Sequence, residues 1–159
     1  MNGDINFGSA DYGVMCAQLE SLICGIPHQV ANLANASALI YSSLPGLNWA
    51  GFYILDRDTL VLGPFQGLPA CIEIPVGKGV CGTAVKERRT VLVDDVHKFP
   101  GHIACDSASN SEIVIPIYKG DDIFGVLDID SPHFSRFSQA DKNGLEELVR
   151  VLERGLFKN

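Results

Sequence analysis

Long hydrophobic runs are missing from this chain. No apolar stretch approaches the ~20 residues that a membrane-spanning helix needs. Cations are scarce as well: 12 Lys and Arg stand against 19 Asp and Glu in 159 residues, a formal charge of −7 with neutral His. A nucleic-acid surface needs Lys and Arg to displace counterions, and an anionic lipid surface needs them for the same electrostatic reason. Neither nucleic acid nor membrane is therefore an expected partner. Cysteine is sparse and odd in number, five in all, too few for a disulfide scaffold. Zinc ligands usually come in close pairs such as C-x₂₋₄-C. Cys71, Cys81 and Cys105 are widely separated, so no metal is expected. Met1 to Gly13 holds Asp4 and Asp11 and no cation. It has neither the basic start nor the apolar centre of a secretory leader, and the expected location is the cytoplasm.

What is present suits one globular domain. The length falls within the ~100–200 residues of typical domains, and 47% of the residues are hydrophobic. From Ser9 to Cys24, the residues Tyr12, Met15, Cys16, Leu19, Leu22 and Ile23 recur at helical spacing, with Gly25 placed to stop the helix. A second helix is expected over Pro27–Ser43, with Val30, Leu33, Ala34, Ser37 and Ile40 on one face and Pro27 at the first helical position. Asn48–Leu55 reads as a strand, Asp56–Asp58 as a turn and Thr59–Leu62 as its hairpin partner. The Pro- and Gly-containing Gly63–Cys71 reads as a loop, Ile72–Val76 as a short strand, Gly77–Arg89 as a turn into a short helix, and Thr90–Val93 as a strand. Glu112–Tyr118 and Ile123–Ile129 form a second hairpin. Ser138 caps a closing helix whose apolar stripe is Leu145, Leu148, Val149, Leu152 and Leu156. Hairpins mean antiparallel pairing, so the fold class is α+β: a central antiparallel sheet with helices packed on it.

Three groups of residues carry the chemistry. Cys16 and Cys24 fall on or beside the apolar face of the first helix and read as core. Cys71, Cys81 and Cys105 instead lie in a Pro/Gly loop, at a Gly-rich helix start and in the long stretch Asp94–Ser111. There side chains can be exposed, and a helix dipole would favour a thiolate at Cys81. Such thiols suit nucleophilic and resolving roles. Asp94–Ser111 exceeds the ~12–15 residues of ordinary unstructured loops and reads either as a substrate cover or as a mobile connector. Asp128 and Asp130 point to one face of their strand, among apolar neighbours, and Glu112 opens the partner strand. Three acids near one pocket would attract a small cation such as an ammonium; the alternative is strand ends in water. Trp49 and Tyr53 share a strand face, with Gly51 leaving space between them, and read either as two walls of a pocket or as core packing, the commoner use of strand aromatics.

The pieces Asn48–Tyr53, Gly63–Gly67, Cys71 with Ile74-Pro75, Gly79–Gly82, Val91–Val96, His102–Asp106, Ser109–Val114 and Gly125–Ser131 resemble the free methionine-R-sulfoxide reductases, which are small stand-alone GAF domains. The resemblance spans most of the chain, from about Ser9 to the closing helix, and three cysteines with three acids in this order are specific to it. It implies a single GAF-like domain over 1–159 and a thiol-dependent reduction of free methionine sulfoxide. By resemblance, Cys105 is the nucleophile, and Cys71 and Cys81 are the candidate resolving thiols. Glu112, Asp128 and Asp130 bind the substrate ammonium and assist protonation, and Trp49 and Tyr53 line the pocket around the thioether end. The resemblance further implies no bound cofactor, thioredoxin as external reductant, and dimers. A GAF small-ligand sensor and a redox switch without turnover are the rival readings. Neither an attached output module nor the Asn-Lys…Phe-Asp-Glu pattern of nucleotide-binding GAF domains is found in the chain.

Overall fold

A computed structural model describes residues 5–157. The first four residues of the segment read for a leader lie outside the described residues, as do the two that follow Phe157. The elements run α1 (Tyr12–Ile23), α2 (Gln29–Ser43), β1 (Trp49–Asp56), β2 (Thr59–Gly67), β3 (Glu73–Pro75), α3 (Gly79–Glu87), β4 (Val91–Val93), a 3₁₀ turn (Val96–Lys98), β5 (Ser111–Lys119), β6 (Asp122–Ser131) and α4 (Gln139–Phe157). The six strands form one antiparallel sheet in the order β3-β2-β1-β6-β5-β4. Among the described residues no helix is long and apolar enough to cross a membrane.

Strand alternation gives the sheet two different faces. Ala50 and Phe52 of β1, Ile113, Ile115 and Ile117 of β5, and Leu127 and Ile129 of β6 pack with α1, α2 and α4 into one apolar cluster. The opposite face carries Trp49, Tyr53, Val114 and Val126 and meets α3, β4 and the long loop in a second cluster. Helix α4 starts on a reciprocal cap: the Ser138 backbone N–H donates to Asp141 at 2.9 Å, and the Asp141 N–H donates to the Ser138 hydroxyl at 3.1 Å.

Several boundaries differ from the sequence reading. Helix α1 begins at Tyr12 because the Asp11 side chain accepts from Val14 N–H at 3.0 Å and caps it. Helix α2 begins at Gln29, so Pro27 precedes the cap residue His28. Its buried face is Asn32, Leu33, Ala36, Ser37 and Ile40; Val30 and Ala34 face water. Leu22 of α1 is also exposed. The expected loop from Gly63 is strand as far as Gly67, because β2 pairs along β1 through a bulge between Gly51 and Tyr53. Pro64 falls in that bulge, where its missing N–H costs no ladder bond.

Candidate active site

The acids are gathered by register. Glu112 of β5 sits opposite Asp130 of β6, and Asp130 sits opposite Trp49 of β1; Asp128 lies between Val114 and Gly51. Cross-strand partners share a face, so Trp49, Glu112, Asp128 and Asp130 all look toward α3 and the long loop. They line one pocket with Tyr53, Cys81, His102, Cys105, Asp106 and Ser109. Glu112 and Asp128 are buried and Asp130 is partly buried. The strand-end-in-water alternative therefore does not hold for the first two.

Burial governs their ionisation. Withdrawal from water, reinforced by the negative charge of Asp130, pushes the Glu112 carboxyl up to about 8. Burial and then Glu112 drive Asp128 well above the usual carboxylate range. Asp130 moves the same way through burial, Asp128 and Asp106. Asp128 Oδ1 is buried without a hydrogen-bond partner among the described residues. His102 Nε2 lies 3.7 Å from Glu112 Oε2, and burial lowers the pKa of its ring. The sequence alone assigns His102 no role; of the two histidines in the long loop, it is the one that lines the pocket. His97 instead pairs with Asn110 at 2.9 Å on the exposed side.

The thiols separate into two kinds. Cys71 and Cys105 form a disulfide across 34 positions of sequence, and both are partly exposed on the pocket side of the molecule. Cys81 departs from its expected exposed, thiolate-favouring position. It is 3% exposed and belongs to the second core cluster. Burial, then Asp128, Glu112 and Asp130, push its thiol well up. The dipole of α3 is outweighed because the helix start is pressed against the sheet, out of water. Cys24, expected in the core, is exposed, and Cys16 is half-buried. Helix α1 turns Cys24 past the end of its buried Met15–Leu19–Ile23 stripe.

The aromatic pair also differs from expectation. Gly51 leaves no space between the rings, since a Cβ there would run into Phe65 of β2. Phe65 stacks on Trp49 with centroids 5.1 Å apart, while Trp49 and Tyr53 lie 5.9 Å apart. Their polar ends do a second job. Trp49 Nε1–H donates to the Leu68 carbonyl at 3.2 Å and the Tyr53 hydroxyl donates to the Cys71 carbonyl at 2.8 Å, tying the Cys71 loop to β1.

On the other side, Asn48 Nδ2 donates to Asp106 Oδ2 and to Ser109 Oγ, both at 3.0 Å, holding the Cys105 loop to the start of β1. Ile103 of the same loop packs on Gly79, whose φ of 60° opens α3 in the left-handed region. No periodic pattern signals these tethers; the adjacency of Asp106 to Cys105 is the one clue in the sequence.

A curled antiparallel sheet with helices on both sides and a pocket under a loop and a short helix defines a GAF domain, and the GAF domain family matches residues 33–156. The chain is 54% identical over 145 residues to the free methionine-R-sulfoxide reductase of Escherichia coli (strain K12), across 91% of this chain and 88% of that protein. It belongs to the free methionine-R-sulfoxide reductase family. The structure of fRMsr of Staphylococcus aureus in its reduced form superposes with a TM-score of 0.93 at 53% identity, covering 96% of this chain and 99% of that one. Free methionine-R-sulfoxide reductase from Neisseria meningitidis in complex with its substrate gives 0.88 at 43% identity, covering 96% and 94%.

Proposed function

We propose that this chain, acting as one GAF-like domain, is a thiol-dependent reductase that converts free L-methionine (R)-S-oxide to L-methionine. The observation that carries the reading is the Cys71–Cys105 disulfide beside a pocket lined by Glu112, Asp128 and Asp130. In the reduced protein the Cys105 thiolate attacks the sulfoxide sulfur. A carboxyl still protonated near neutrality supplies the proton to the departing oxygen, and Glu112, with its pKa raised to about 8, suits that task. Methionine leaves and Cys105 carries the oxygen as a sulfenic acid. The Cys71 thiol then condenses with it, forming the disulfide and releasing water. A dithiol protein, thioredoxin, reduces the disulfide by exchange in a reducing compartment such as the cytoplasm. Cys81 is assigned no resolving role, because it is buried and outside the disulfide. No bound cofactor or metal takes part in these steps, and the family resemblance further implies a homodimer.

Asp128 and Asp130 receive the substrate ammonium, which draws them into the ionised form. Trp49 and Tyr53 wall the thioether end. A peptide-bound methionine sulfoxide presents a neutral amide where the ammonium should be, leaving the acids without a partner, and discrimination of this kind can reach ~10⁴-fold.

The test is NADPH consumption with thioredoxin and its reductase, comparing free methionine sulfoxide with its N-acetylated, amidated form. Sustained turnover of the free substrate alone is expected, and it excludes both a ligand sensor and a redox switch without turnover. Equal kcat/KM for the two compounds would overturn the ammonium assignment. Cys71→Ser should form about one methionine per subunit and then stop; full recycling in that variant would remove Cys71 from the cycle.

A further inference from the structure

Cys81 is a buried thiol that the proposed reaction leaves unused, and its surroundings are unusual. Its Sγ, one carboxylate oxygen of Glu112 and one of Asp128 all lie within 4.8 Å of one another, and all three residues are buried. They arrive from three elements: the first turn of α3, the start of β5 and the middle of β6. No linear spacing motif could have revealed them, which is why the cysteine pattern alone argued against a metal. Asp128 Oδ1 is buried with no hydrogen-bond partner among the described residues, so a metal cation can take the place that the proposed reading gives to the substrate ammonium. Buried polar atoms are rarely left so without a missing partner.

We propose that Cys81, Glu112 and Asp128 form a binding site for a thiophilic divalent cation, Zn²⁺ by its chemistry, and that the cation excludes substrate from the pocket when bound. One thiolate with two carboxylate oxygens is a zinc-type donor set. Zinc accepts sulfur at ~2.3 Å and oxygen at ~2.0–2.2 Å in tetrahedral geometry and commonly keeps a fourth position for water when the protein offers three ligands. Ligands on a tetrahedron of that size are separated by roughly 3.5 Å, so the three groups need only draw together slightly. Mg²⁺ and Ca²⁺ prefer all-oxygen shells, and the thiolate disfavours both. Binding releases the Cys81 proton to solvent, and no other bond is made or broken. Cys81 is outside the Cys71–Cys105 disulfide, so its thiol is free to bind while that disulfide is in place.

The cation would sit on Glu112 and Asp128, the acids assigned to proton donation and to the ammonium. Competition with substrate rests on that reading of the pocket; binding of the cation does not. The outcome would be reversible silencing of the enzyme by free zinc, without oxidation of any thiol.

Cobalt is the spectroscopic probe. The oxidised protein is titrated with Co²⁺, and a near-ultraviolet thiolate-to-cobalt band should grow to one equivalent. One equivalent of Zn²⁺ should erase it, and millimolar Mg²⁺ should not. Cys81→Ser should remove the band; Asp128→Asn and Glu112→Gln should each weaken Co²⁺ binding by about tenfold or more. Absence of a band overturns the site, as does a band unchanged in Cys81→Ser, which would report Cys16 or Cys24. If Cys81→Ser fails to fold by circular dichroism, the two carboxylate variants decide, and undiminished affinity in both overturns the proposal. In the reductase assay, Zn²⁺ should raise the apparent KM for free methionine sulfoxide and leave kcat unchanged. Inhibition that substrate cannot relieve overturns the competition. Should methionine sulfoxide not turn over at all, the proposed activity fails, and the cobalt titration still decides the cation site.

Discussion

The two faces of the sheet obey the same alternation and are used differently. Toward α1, α2 and α4 the central inward positions of β1, β5 and β6 are apolar, from Phe52 to Ile129, and the buried Ser111 and Ser131 stand only at the strand ends. Toward α3 the same strands interleave Val114 and Val126 with Glu112, Asp128 and Asp130, and a thiol closes over them. Three helices, two of them long, cover the first face; a helix of nine residues and a loop cover the second. Apolar burial stabilises at about 25 cal/mol per Å², whereas buried carboxylates cost free energy until something pairs with them. Stability is therefore concentrated on one face, and the other accepts destabilising groups in exchange for chemistry.

The sharpest way to break that contrast is Cys105→Ser. Thioredoxin-linked turnover should fall to background, because a hydroxyl neither attacks sulfoxide sulfur nor forms the disulfide. Thermal unfolding of the reduced variant should change little. Residual steady-state turnover would show that the reaction does not pass through Cys105. A smaller but opposite effect is expected across the sheet. Phe52→Ala, in the dry cluster, should lose about 3–5 kcal/mol of stability, read from urea midpoints. Asp128→Asn should instead stabilise the substrate-free protein in mild alkali while raising KM. Loss of stability in both variants would erase the division of labour between the faces.

The mildest effect is a pH dependence. Glu112 has its folded pKa raised from 4.5 to about 8, so between those values the folded chain holds a proton that the unfolded chain releases. For this residue stability falls as pH rises through that window and is level beyond it. Asp128 and Asp130 contribute in the same direction. Glu112→Gln should flatten the fall, seen as urea midpoints that differ less between about pH 5 and about pH 8 than in the parent. A parent protein whose stability climbs over this window would contradict buried, protonated acids.

Much of this arrangement is legible in the sequence because side-chain periodicity, about 2 residues in strands and about 3.6 in helices, is local information. The facing of Asp128 with Asp130, both hairpins and the Leu145–Leu152 stripe of α4 follow from it. What was hidden depends on packing between distant segments. A Gly-rich turn before a helix reveals the backbone at Cys81 but not that the sheet lies against it. Val30 and Ala34 fit a helical face whose neighbours turned out to sit about one position around the helix. The gap suggested by Gly51 exists in one strand and is filled by Phe65 of the next. The pairing of Cys71 with Cys105, given by the structure, could not be chosen over Cys81 from spacing.

The three pocket acids also change how the molecule moves in an electric field. They account for three of the nineteen carboxylates behind the formal charge of −7. Each one that keeps its proton in the folded chain makes the native molecule less negative by one elementary charge than its sequence states. Unfolding in urea exposes them to water and frees those protons. The native protein should therefore focus at a higher pH than its urea-unfolded form and migrate more slowly toward the anode near neutrality, beyond what its compact size explains.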